Sequence, residues 1–134
     1  MNELVMKMVD LEQVQDAITA VLPEEGCGLL FGKGGTVEKV IAVENELHSP
    51  VTFRMNPQAQ LDALILAEDL GLEIIGIFHS HPCGPNHPSQ TDISRFFYPG
   101  SAAVILSPSG NGWQCKAFII EAGSYREIPV SILP

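Results

Sequence analysis

The chain has 134 residues, of which 46% are hydrophobic and 17% charged, a composition typical of one folded domain spanning residues 1–134. Its net charge of −9 and its seven Lys and Arg residues argue against a nucleic-acid partner, because such binding rests on clustered cations. No basic leader, no apolar run of membrane-spanning length and no regular spacing of the three cysteines is present. We therefore expect a cytoplasmic protein that binds neither nucleic acid nor membrane and has no disulfide framework.

The N-terminal part predicts a helix followed by a β-hairpin. Asp10 followed by Gln13 resembles a capping box, and apolar residues recur at helical spacing from Leu11 until Pro23 ends the pattern. The hairpin is predicted as a strand at 28–31, a glycine-rich turn at 32–35 and a returning strand at 37–44.

A second helix is bracketed by its capping residues. Asn56 is suited to the N-cap, Pro57 to the first helical position and Gly71 to the position just past the end. The expected inward-facing residues are Leu61, Leu64, Ile65 and Ala67.

The C-terminal half predicts mostly strands. A continuous apolar run at 74–78 is typical of a buried strand. The remaining predictions are a loop at 83–88, a short helix at 92–97, and strands at 102–106, 113–121 and 125–130. Trp113 and the aromatic residues Phe96, Phe97 and Tyr98 are expected in the core. Helices and hairpins interleave, so the sequence predicts an α/β fold with a mixed sheet.

The strongest functional signal is the pair His79 and His81, which directly follows the buried strand. Residues at i and i+2 share a face of a strand but not of a helix, so both imidazoles should leave the strand end together. Asp92 returns after a turn-rich loop. Two His and one Asp, with water in the fourth position, form a common catalytic zinc site, whereas structural zinc sites usually contain cysteine.

Ser89 and Asp92 have two compatible interpretations. A serine with an acid three positions later is a capping box at the start of a helix. A carboxylate held in the first helical turn is also rigid enough to face a cation across the loop.

Glu25 lies in the segment Pro23-Glu24-Glu25-Gly26-Cys27-Gly28, at the junction of the first helix and the first predicted strand. A loop there could place one carboxylate over a metal-bound water, which still needs a base. From its position alone, Glu25 could equally be an acidic loop residue that is exposed to solvent and has no role in catalysis.

These segments resemble the JAMM or MPN-type zinc metallopeptidases, whose pattern is P-x-E-x-C-G followed later by H-x-H-P-x6-S-x2-D. The resemblance covers nearly the whole chain, as a small prokaryotic-like member of the family. The matching positions are Pro23, Glu25, Cys27 and Gly28, then His79, His81, Pro82, Ser89 and Asp92.

The resemblance implies a curved mixed sheet with flanking helices, distantly similar to cytidine deaminases. It implies one zinc ion per chain ligated by His79, His81 and Asp92, with Glu25 as general base and proton donor and Ser89 bonding the oxyanion. The implied reaction is hydrolysis of an amide or isopeptide bond after the Gly-Gly tail of a small ubiquitin-like or sulfur-carrier protein.

Three alternatives stay open. The fold could serve as a non-catalytic MPN scaffold, although such domains typically lose metal ligands, or as a zinc hydrolase acting on other peptides. Cys83 could be a nucleophile, but that would leave the His-x-His and Asp geometry unused. Deaminase chemistry is disfavoured because Cys83 has no second cysteine at the required spacing.

Overall fold

A computed structural model describes residues 1–134, with an eight-stranded sheet and three helices. The helices are α1 (Met8–Ala20), α2 (Pro57–Asp69) and α3 (Gln90–Arg95). The strands are β1 (Leu4–Lys7), β2 (Cys27–Lys33), β3 (Thr36–Val43), β4 (Glu73–Ser80), β5 (Ala102–Ser109), β6 (Gly112–Glu121), β7 (Ser124–Ile128) and β8 (Val130–Leu133).

The strand order is β7-β6-β5-β4-β2-β3-β1-β8, and parallel and antiparallel pairs are mixed. β4 runs parallel to β5 and β1 parallel to both its neighbours, whereas β2 is antiparallel to β3 and β4. Contacts between β6 and β8 bring the two ends of the sheet towards each other. The predicted α/β fold with a mixed, curved sheet is confirmed.

Helices α1 and α2 cover opposite faces of the sheet. On one face, Val14 and Ile18 of α1 pack in a core cluster with Leu30 of β2. On the other face, Ala63 and Ala67 of α2 pack in a second cluster that includes residues of β2 and β4. Because side chains alternate along a strand, each central strand contributes to both cores.

The antiparallel pairing of β2 with β4 determines where the functional site forms. Cys27 lies opposite His79 and Gly28 opposite Phe78. A Cβ on Gly28 would lie 2.4 Å from the Phe78 ring, so glycine is needed for this close approach. Continued past Cys27, the same register places Glu25 opposite His81.

Two helix predictions were partly wrong. Helix α1 begins at Met8 with Lys7 as N-cap, and Asp10 caps it from the third helical position, where its carboxylate accepts the Lys7 N–H at 3.1 Å. Leu61 and Ile65 of α2 are about half exposed, because the small residues Ala63 and Ala67 form the face that lies on the sheet. Alanines permit close packing, and the larger residues are displaced outward.

Other predictions were shifted. The short helix begins two residues earlier, at Gln90, because Ser89 is its N-cap. β1 was not predicted, and the last predicted strand is two strands, β7 and β8, separated at Pro129. Phe97 is 78% exposed rather than in the core. None of the helices is long and apolar enough to cross a bilayer; the cytoplasmic location stays a prediction.

Candidate metal centre and active site

The end of β4 places His79 and His81 side by side, as strand alternation predicts. Both residues are buried, and their Nε2 atoms lie 3.0 Å apart. The Phe53 ring stacks on His79 with a centroid separation of 4.5 Å and covers one face of the imidazole. Packing against Phe53 therefore helps to hold the His79 ring at the strand end.

Asp92 reaches the imidazoles because helix α3 begins beside them. Its Oδ2 lies 3.2 Å from His79 Nε2 and 3.0 Å from His81 Nε2. The same carboxylate accepts the Ser89 N–H at 2.9 Å, and the Ser89 hydroxyl accepts the Asp92 N–H at 3.0 Å. The capping box is thus present, and it fixes the Asp92 carboxylate towards the histidines. Burial alone would raise the pKa of Asp92, but the two facing imidazoles and the Ser89 N–H that it accepts hold this pKa well below its usual range.

The donor set fits a cation. His81 Nδ1 lies 2.7 Å from the Pro85 carbonyl oxygen. Because a carbonyl oxygen only accepts hydrogen bonds, Nδ1 carries the proton. Nε2 of the neutral ring therefore presents a lone pair, and it faces His79 Nε2 and Asp92 Oδ2, which can also offer lone pairs. The three converging atoms are 3.0 to 3.2 Å apart. Ligand atoms around a tetrahedral zinc at about 2.0 Å are roughly 3.3 Å apart.

Glu25 lies beside these three side chains, as the β2–β4 register requires. Its N–H donates to the Ser49 carbonyl at 2.8 Å, and the neighbouring Gly26 N–H donates to the buried Ser80 hydroxyl at 2.8 Å. Together with His79 and His81, Glu25 forms a group whose ligand atoms lie within 4.8 Å of one another and could hold a metal ion.

The Glu25 carboxylate is unusual because it is buried without a partner. The residue is 3% exposed, and Oε1 makes no hydrogen bond. The pKa of Glu25 is raised from 4.5 to about 7, mainly by desolvation; His81 lowers it, and the nearby Asp92 carboxylate raises it. A pKa near neutrality is suited to a group that both takes and returns a proton.

An open, largely apolar pocket of about 640 Å³ extends from His79 and Asp92. Its walls include Phe53, Met55, Phe96 and Phe97. The exposed Phe97 ring, which the sequence had placed in the core, therefore belongs to the wall of this pocket.

The remaining candidates lie outside this cluster. Cys83 is exposed, and the His87 ring stacks on Tyr125 with a centroid separation of 6.1 Å. Glu24 pairs with His48 at 2.9 Å on the surface. Sequence reasoning missed Phe53 and Ser80, because neither belongs to a motif and both act through long-range packing.

Comparison with known proteins identifies the family. The model of prokaryotic homologs of the JAB domain matches residues 10–118. The chain belongs to this family, the prokaryotic branch of the JAMM/MPN proteins.

Individual relatives extend the comparison. A desampylase from Pyrococcus furiosus is 51% identical over 109 residues, which are 81% of this chain and 76% of that protein. A probable TtuB-protein conjugate cleaving protease from Thermus thermophilus is 42% identical over 92% of this chain and 78% of its own. The solution structure of a Desulfitobacterium hafniense protein superposes with a TM-score of 0.86 at 31% identity, covering 96% of this chain and 92% of that chain.

The buried Glu25 carboxyl should destabilise the metal-free protein as pH rises. In the unfolded chain it ionises near pH 4.5, whereas in the folded protein it keeps its proton until about pH 7. The folded state therefore loses stability between these values, and the loss is complete above the higher one. We expect metal-free Glu25→Gln to be more stable than wild type at about pH 8, by on the order of 2 kcal/mol.

Urea unfolding of the chelated proteins measures this difference. At about pH 4.5 the two proteins should be closely matched, because the carboxyl is protonated in the folded state and only half ionised in the unfolded chain. An equal difference at both pH values would show that the substitution acts through packing and not through ionisation.

Proposed function

We propose that this protein is a zinc-dependent metallopeptidase that hydrolyses an amide or isopeptide bond after the Gly-Gly tail of a small ubiquitin-like or sulfur-carrier protein. The observation that carries the proposal is the unpaired, buried Glu25 carboxylate beside three converging ligand atoms. Such a costly arrangement has a purpose in metal-assisted hydrolysis and none in a scaffold. The desampylase and the TtuB-conjugate protease support the substrate class.

We assign the metal ligands to His79, His81 and Asp92, with one zinc per chain. A zinc ion bound there would polarise the scissile carbonyl and lower the pKa of a coordinated water to about 7. The Pro85 carbonyl and the Ser89 N–H orient two of the ligands from behind.

Glu25 and Ser89 are assigned to the proton and charge transfers. Glu25 Oε1, which has no hydrogen-bond partner, takes a proton from the attacking water and delivers it to the leaving amine. The Ser89 hydroxyl accepts the Asp92 N–H, so its own proton remains free for the developing oxyanion.

The open pocket provides the surface for the substrate. The pocket has an aromatic wall and begins at His79 and Asp92, so a substrate segment bound in it would lie next to the reacting groups. We propose that residues 1–134 form a single domain, because all eight strands belong to one sheet and the pocket lies against it.

A carrier protein joined through its Gly-Gly end to a fluorescent lysine by an isopeptide bond tests the substrate class. We expect cleavage directly after the tail, and much slower cleavage when the tail ends in Ala-Ala. Equal cleavage of unrelated peptides would favour a hydrolase of other specificity. A zinc-loaded protein inactive on every probe would favour the scaffold.

Zinc dependence should be measurable directly. Protein expressed with ample zinc should contain close to one zinc per chain by elemental analysis. Phenanthroline should abolish hydrolysis, and alkylation of the exposed Cys83 should leave most of it, because the thiol lies outside the ligand cluster. The reverse pattern would make Cys83 the nucleophile.

A further inference from the structure

Asn45 is a buried amide that uses its full hydrogen-bonding capacity. Its Nδ2 group donates to the Glu25 carbonyl at 3.0 Å and to the Thr52 carbonyl at 3.1 Å. Its Oδ1 accepts the N–H groups of Leu47 and Arg54, each at 3.1 Å. The residue is 6% exposed, so water does not substitute for these bonds. Two donors and two lone pairs are all that an asparagine amide has.

These four bonds connect the segment that carries Glu25 with the segment that carries Phe53. Thr52 and Arg54, both bonded to Asn45, flank Phe53, the ring that stacks on His79. The Glu25 peptide is held on both sides, since its N–H bonds the Ser49 carbonyl of the same loop. One side chain therefore fixes the backbone beneath the proposed base and the backbone beneath a ring packed on a proposed ligand.

Glu25 depends on this backbone anchoring more than most acids do. Its Oε1 has no hydrogen bond, so no side-chain contact at that oxygen determines where it lies. Misplacing a reacting group by about 1 Å costs on the order of 100-fold in rate.

We infer that Asn45 is the positioning residue for Glu25, and that its amide sets the place of the base relative to the metal ligands. Asn45 touches neither substrate nor metal ligand and acts through the Glu25 carbonyl. This inference rests on the proposed role of Glu25 as the base.

The test compares two identical substitutions. Asn45→Asp keeps the oxygen that accepts from Leu47 and Arg54 but turns an oxygen towards the Glu25 and Thr52 carbonyls. Asn56→Asp makes the same charge change at the N-cap of α2, where Oδ1 accepts the Ala59 N–H and aspartate caps equally well. Asn56 makes no side-chain contact with Glu25.

With the isopeptide probe, we expect Asn45→Asp to lower kcat by about 100-fold, with a much smaller change in KM. Its zinc content should remain one per chain, and its Glu25 N–H should exchange with solvent faster by mass spectrometry. Asn56→Asp should keep kcat within about twofold of wild type. Equal kcat values for a folded Asn45→Asp and wild type would overturn the inference.

If Asn45→Asp does not fold, Asn45→Ser tests the inference instead. Serine adds no charge and is too short to reach the Glu25 carbonyl. Asn45→Ser should show the same loss of kcat. If both variants are unfolded, Asn45 has a structural role only and the inference is wrong. If the wild-type protein is inactive on all probes, the proposed function is wrong. Hydrogen exchange at Glu25 in the metal-free proteins would then still test the anchoring, and unchanged exchange in Asn45→Ser would refute it.

Discussion

Glu25→Gln is expected to lower the rate of hydrolysis by about 1,000-fold or more while zinc remains bound. Glutamine has nearly the same shape but cannot take a proton from water, and Glu25 is only 3% exposed, so bulk solvent has little access to act as a base in its place. Initial rates with the isopeptide probe, together with zinc analysis of the same sample, give both quantities.

The adjacent acid provides the control. Glu24→Gln removes the same charge one residue away, but Glu24 points to the surface and pairs with His48. Exposed pairs of this kind contribute at most about 1 kcal/mol to stability, and activity should stay within about twofold of wild type. Comparable losses in both variants would remove Glu25 from its proposed role.

Asp92→Asn is expected to abolish zinc retention and hydrolysis together. The amide is a poor zinc ligand, and its NH₂ group cannot replace the carboxylate oxygen that faces both Nε2 atoms at 3.0 to 3.2 Å. Elemental analysis after dialysis and a zinc titration measure the lost affinity.

Asp10→Asn separates metal binding from helix capping. Asp10 and Asp92 both occupy the third position of their helices, and each accepts the N-cap N–H. In either variant the asparagine oxygen can still accept that N–H. Only the negative charge in the first helical turn is lost, at a cost of about 0.3 to 1 kcal/mol, so this capping contribution to thermal unfolding should change similarly in the metal-free proteins. Only Asp92→Asn should lose zinc, and zinc retention by that variant would contradict the ligand assignment.

The strand-end histidines were accessible from sequence because the information is local. A two-residue period after the apolar run 74–78 predicts both imidazoles on one face, and the structure has them 3.0 Å apart. The capping box of Ser89 and Asp92 is equally local, and it is present. Spacing along a chain fixes such relations because backbone geometry has few alternatives over short distances.

The faces of α2 show where local information fails. Its sequence offers both large apolar residues and alanines as candidates for the core, and the alanines pack on the sheet. Which set is buried depends on how closely the sheet approaches the helix, and that distance is a property of the assembled layers. Phe97 was misplaced for the same reason, since the wall of the pocket forms only when α3 lies beside β4 and β5.

The sequence by itself determined the class of fold, the two histidines at one strand end and the helix cap that carries Asp92. Only the tertiary structure decided that Glu25 meets His81, through a strand pairing in which the bonded residues Gly26 and Ser80 are 54 positions apart. It alone showed the Asn45 amide beneath Glu25 and the missing partner of Oε1. Burial and hydrogen bonding between distant segments are collective properties of the packed chain, whereas periodicity and capping are written in neighbouring residues.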